Sequence, residues 1–173
     1  LADNAQKPTC DAYVADASHA TCVGCLEAAQ GAGPIEWHAS GGDAHHDYII
    51  NFPACVALKI GDTTADGCGA SWHTQLECER DACDACFAGG GSSDEIRTCA
   101  CTAEGGSIDA ASGACRVPQN SSSFCTSYLK TRLTKCAGAT DAGSPVDTCL
   151  PASGEARDVY IKRLMRISCG PTT

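Results

Sequence analysis

The sequence predicts an all-α, small, disulfide-rich and loop-rich fold of about five or six helices, forming one domain over residues 1–173 with a candidate subdivision near 104–120. Three observations predict it. The chain carries 15 cysteines in 173 residues, a density that marks disulfide scaffolds. Leu, Ile, Val and Phe together number only 25, below the roughly 20 % at which a charged chain builds its own apolar core. Apolar residues recur at helical spacing, and strand-like alternation is scarce.

The elements follow in order. Cys10, Tyr13, Val14 and Ala17, then Cys22, Cys25, Leu26 and Ala29, form a stripe over residues 10–30, and Gly31 to Pro34 ends it. Glu36 to Asp47 reads as a polar, glycine-bearing loop before Tyr48 to Phe52. Asn51 can cap a short helix with Pro53 near its first turn and Cys55, Val56, Leu58 and Lys59 following. The longest candidate starts at Asp62 or Thr64 and runs to about Phe87, with Cys68, Trp72, Leu76, Glu79, Cys83 and Cys86 on its buried face. Gly67 and Gly69 weaken its start.

Gly89 to Gly91 breaks the chain, and Ser92 with Glu95 forms a capping box ahead of Ile96, Cys99 and Ala103. Residues 104–120 read as irregular. A hydroxyl from Ser121 to Ser123 then caps a helix with Cys125, Tyr128, Leu129, Leu133 and Cys136 inward, stopped by Gly138. After the loop Ala139 to Pro151, Ser153 caps a last helix carrying Val159, Tyr160, Leu164, Ile167 and Cys169, closed by Gly170 and Pro171. Lys162, Arg163 and Arg166 lie in its second half, where they complement the helix dipole.

Cys10, Cys22, Cys25, Cys55, Cys68, Cys78, Cys83, Cys86, Cys99, Cys101, Cys115, Cys125, Cys136, Cys149 and Cys169 are all candidates for structural disulfides. Their number is odd, so at least one is free, modified or joined to another chain. Cys99 and Cys101, one residue apart, are expected to take different partners. About seven bridges would contribute on the order of 10 kcal/mol, supplying what the apolar residues cannot. Such density assigns the chain to an oxidising compartment: extracellular medium, cell surface or periplasm. Leu1-Ala2-Asp3 reads as the start of a processed chain, as expected after removal of a signal peptide or propeptide.

Cys22-Val-Gly-Cys25 and Cys83-Asp-Ala-Cys86 lack the following histidine of a covalent haem site and the spacing of a zinc site, and neither has the βαβ context of a redox pair. The sharpest polar constellation is instead Trp37 to Tyr48. There His38, His45, His46 and Asp43 could hold Zn or Cu; the bland alternative is a solvated loop that only titrates.

Ser71 and His73 lack a nucleophile elbow and, two apart on a helix, face different directions. Trp37, Tyr48 and Trp72 suit a sugar or partner platform, although burial on a helix stripe is the commoner fate of such residues. Asn120-Ser-Ser122 matches a glycosylation sequon. A net charge of −9 and a pI near 4.8 exclude a phosphate-binding basic face, and hence nucleic acid. No apolar run reaches the roughly 20 residues of a transmembrane helix.

Asn51-Phe-Pro-Ala-Cys55, Gly67-Cys-Gly-Ala-Ser-Trp72, Cys78-Glu-Arg-Asp-Ala-Cys83 and the closing Tyr160 to Pro171 resemble segments of cysteine-rich exported proteins and lipoproteins of myxobacteria, over roughly residues 48–171. The resemblance implies an envelope or secreted location and helical segments tied by bridges. It implies no activity, and neither the Cys99-Ala-Cys101 motif nor the histidine loop maps onto it. The sequence is thus read as a binding or assembly protein, an accessory subunit of an extracellular complex or filament that meets a protein partner or itself. It carries no catalytic or cofactor-binding residues on this reading. The alternative is a Zn or Cu protein using the histidine loop, and a third reading is an extracellular hydrolase.

Overall fold

A computed structural model describes residues 15–17, 33–39, 46–139 and 144–169. Over these the chain is helical, with two small antiparallel ribbons. Strand β1 (Ile35–Ala39) pairs with β2 (His46–Ile50), placing Ile35 opposite Ile50, Trp37 opposite Tyr48 and His38 opposite Asp47. The expected loop from Glu36 to Asp47 therefore contains most of β1 and the start of β2. Ile35-Glu-Trp-His-Ala alternates in the manner of a strand, a signal too short to stand out. The predicted helix over 10–30 lies outside the described residues except for 15–17.

Helix α1 (Phe52–Ile60) begins as its sequence dictates: Asn51 Oδ1 accepts from the Ala54 N–H at 3.1 Å, and Pro53 occupies the first turn. It ends at Gly61, whose φ of 76° is the left-handed conformation of a helix stop. Helix α2 (Cys68–Ala82) starts later than expected because Asp62 accepts from both the N–H and the hydroxyl of Thr64, a local turn that competes with helix. It also stops earlier. Cys83 breaks the helix, and the residues beyond form a separate turn, α3 (Asp84–Ala88), in which Cys86 is only half-buried and Phe87 exposed.

Helix α4 (Ser93–Ala103) carries the full capping box from Ser92 and Glu95. The irregular stretch that follows holds one short ribbon, β3 (Ser107–Ile108) with β4 (Cys115–Arg116). Helix α5 (Thr126–Lys135) has Cys125 at its N-cap with no side-chain hydrogen bond, so no serine hydroxyl caps it; Ser121 instead donates towards the Glu104 and Gly105 carbonyls. Its inward stripe is Cys125, Leu129, Arg132 and Cys136, and the expected inward Tyr128 and Leu133 are exposed. A 3-10 turn over Pro145–Cys149 follows within the predicted loop, and α6 (Arg157–Cys169) closes the fold. That helix starts beyond Ser153, which is not its cap, and Val159 faces solvent while Tyr160 and Leu164 are buried.

The core joins α1, α2, α5, the 3-10 turn and α6. Its buried members are Cys55, Val56, Cys68, Trp72, Cys136, Val146, Cys149, Tyr160 and Leu164, so four of nine are cysteines. All four are bridged, Cys55 to Cys149 and Cys68 to Cys136. Three further bridges join Cys78 to Cys125, Cys83 to Cys99 and Cys101 to Cys115; Cys169 is also disulfide-bonded. Cys99 and Cys101 do diverge, to Cys83 and Cys115. Two bridges clamp α2 and α5 antiparallel, since the start of α2 is tied to the end of α5 and the end of α2 to the start of α5. Phe52 meets Trp72 edge to face at 5.1 Å between centroids.

Candidate functional site

The most unusual chemistry among the described residues is a buried polar cluster where α2, the end of α4 and α5 meet. Gln75 and Glu79 stand one turn apart on α2 and so share a face. Glu104 is the C-cap of α4, and its side chain turns inward because the Cys101–Cys115 and Cys78–Cys125 bridges draw the following chain across it. Gln75 Nε2 donates to Glu79 Oε1 at 2.5 Å and to Glu104 Oε1, so one amide spans two carboxyl groups. The Gln75 Oε1 atom is buried with no hydrogen-bond partner among the described residues. Glu104 is 8 % exposed and Gln75 3 %.

Burial pushes the Glu104 carboxyl up to about 7, aided by the neighbouring Glu79 carboxyl; Arg132 and Gln75 pull the other way. Arg132 in turn has its guanidinium 4.9 Å from the centre of the Trp72 ring, and burial lowers its affinity for its proton. The main chain around Glu104 is equally committed. Its carbonyl accepts from Thr126 Oγ1 at 2.7 Å, and the Cys125 N–H donates to the Ala103 carbonyl at 2.8 Å.

Two neighbouring carboxyls, one of them shielded from water, are a chemistry that acid hydrolases use, but catalysis also needs room for a substrate. The open groove nearby, about 760 Å³, is lined by other residues: Ala82, Thr98, Cys99, Thr102, Ala103 and Phe124, with Asp94, Glu95 and Ser123 completing it. Glycoside hydrolysis further requires the sugar to lie between two carboxyls, whereas the Gln75 amide bridges these two. What the pair shows in this structure is a tie through Gln75 between α2 and the end of α4.

Of the residues singled out from sequence, His38 pairs with Asp47 and His46 with Ala39. The two histidines therefore occupy neighbouring rungs of the ladder. Asp43 and His45 lie outside the described residues, as do Cys22 and Cys25. Among the described residues no three His, Cys, Asp or Glu side chains gather in a group suited to a metal ion. Ser71 is buried on α2 and His73 lies two residues on, so they share no face. Trp72 is a core residue rather than a platform.

Cys83 is bridged to Cys99, which leaves Cys86 as the free cysteine among the described residues. Asn120 is exposed in a turn closed by the Ser121 N–H donating to the Pro118 carbonyl at 3.0 Å. The sequence placed Glu79 on the buried face of its helix but missed its meeting with Glu104, which stands in no motif and lies 29 residues beyond the Gln75 that bridges the two. No family model matches the chain, and no curated protein or solved structure is significantly similar to it.

Proposed function

We propose that the protein works in the extracellular medium, at the cell surface or in the periplasm as a binding or assembly protein. The observation that carries this reading is where the large apolar side chains go. In a chain with so few of them, Phe124 is 73 % exposed, Leu133 56 %, Val159 51 %, Phe87 47 % and Leu58 45 %, while cysteines fill core positions. Phe124 is the one that stands in a groove rather than alone, beside Ala82, Ala103 and Cys99, and apolar surface gathered in this way suits contact with a partner. Phe124 lines the groove beside α4, and the free Cys86 adjoins Phe87.

Bridges at this density suit an oxidising setting, and no described helix is long and apolar enough to cross a membrane. The resemblance to exported myxobacterial proteins points the same way. The test is light scattering of the purified protein, with and without cross-linked envelope extract from its source. Wild type should form a dimer or a defined complex that Phe124→Ser with Phe87→Ser abolishes without lowering the melting temperature. A strictly monomeric wild type in both settings, or a complex indifferent to both substitutions, would overturn the reading.

A further inference from the structure

We infer that Glu79 and Glu104 form a proton-operated clamp: with one proton between them they hold α2 against the junction of α4 and α5, and on losing it they loosen that junction. The geometry carries the inference. One amide nitrogen reaches both carboxyls, which cannot therefore lie farther apart than two hydrogen bonds allow. Two carboxylates so close, with Glu104 shielded from water, repel unless a proton lies between them.

Among the described residues the surroundings offer one counter-charge. From α2 the cluster receives Gln75; from α5 it receives Arg132 and the Thr126 hydroxyl, which bonds the Glu104 carbonyl. From β4 comes the Cys115 sulfur, 3.6 Å from Glu104 Oε2 and without a titratable proton because it is bridged to Cys101. The Ser121 hydroxyl, on the segment leading into α5, meets the same carbonyl and that of Gly105. A single guanidinium thus faces two acids, and the fully ionised cluster carries an uncompensated buried negative charge.

The direction follows from linkage. Glu104 holds its proton more tightly folded than unfolded, with a value of about 7 against an ordinary 4.5. Its contribution to stability is therefore complete below the ordinary value and is lost as pH rises through the folded one. The segment that would loosen, from Gly105 to Thr126, contains Ser123 and Phe124 of the groove, so the same proton would alter the groove wall.

The experiment is a series of thermal melts of the disulfide-intact protein between about pH 5 and pH 8.5, with carbon-detected NMR titration of the glutamate carboxyls. Wild type should lose several degrees of melting temperature towards high pH, with slowed exchange protection lost first from Gly105 to Thr126. Glu104→Gln should flatten that dependence. Glu79→Gln should move the Glu104 titration down towards the ordinary carboxyl range. Parallel pH curves for wild type and Glu104→Gln, or a wild-type Glu104 titrating as an ordinary carboxyl, would overturn the clamp. Should Glu104→Gln fail to fold, the wild-type titration and the Glu79→Gln shift decide alone.

Discussion

At Gly69 a side chain has nowhere to go: a Cβ there would sit 2.5 Å from the Pro53 carbonyl oxygen and 2.6 Å from the Ala57 Cβ. The missing methyl lets α1 and α2 approach closely at this point. Gly69→Ala should therefore destabilise the protein by about 1–3 kcal/mol through overpacking, despite the better helix propensity of alanine. Chemical denaturation of the oxidised protein measures it, and an unchanged or raised midpoint would contradict the contact. From sequence the same glycine reads only as a weak spot in a helix start, because its neighbours come from the preceding helix. Arg132 was hidden for a similar reason: a guanidinium on an inward stripe is invisible until Trp72 and the two glutamates are brought beside it.

Between elements, the strongest polar junction ties α6 to the turn before it. Arg163 donates from Nε and Nη2 to the two Glu155 oxygens at 3.0 and 2.7 Å, and to the carbonyls of Thr148 and Leu150. That fork holds the Glu155 carboxyl below its ordinary range and fixes the 3-10 turn carrying Cys149, while Tyr160 adds a 2.8 Å bond to the Cys149 carbonyl. Arg163→Ala is expected to cost about 1.5–3 kcal/mol, the scale of hydrogen bonds to a charged group, and Arg163→Lys nearly as much because an ammonium cannot fork. A melting temperature shared by all three proteins would show the junction to be idle. The helix starts at Asn51 and Ser92 were legible because capping is local chemistry. The break at Cys83 was not, since Cys83 and Cys86 keep helical spacing across it.

For the whole molecule, sulfur stands where larger apolar groups would ordinarily pack. Each described bridge contributes about 2–4 kcal/mol, and together they approach the full stability of a typical domain. Reduction at neutral pH should therefore abolish the cooperative melt seen by circular dichroism; a reduced protein that melts like the oxidised one would refute this. The need for bridges, the helical class and the divergence of Cys99 from Cys101 could all be read from composition and spacing. The pairings could not, because they join residues as far as 94 positions apart and spacing along a chain does not encode meeting in space.

Those pairings also have an order. The bridge from Cys55 to Cys149 encloses that from Cys68 to Cys136, which encloses Cys78 to Cys125, which in turn encloses Cys83 to Cys99 and Cys101 to Cys115 side by side. Nested in this way, no described link has to pass through another, and each inner closure shortens the path the next must close. A protease that cuts the backbone once, anywhere between Cys55 and Cys149, frees nothing: the two pieces remain joined by at least one link.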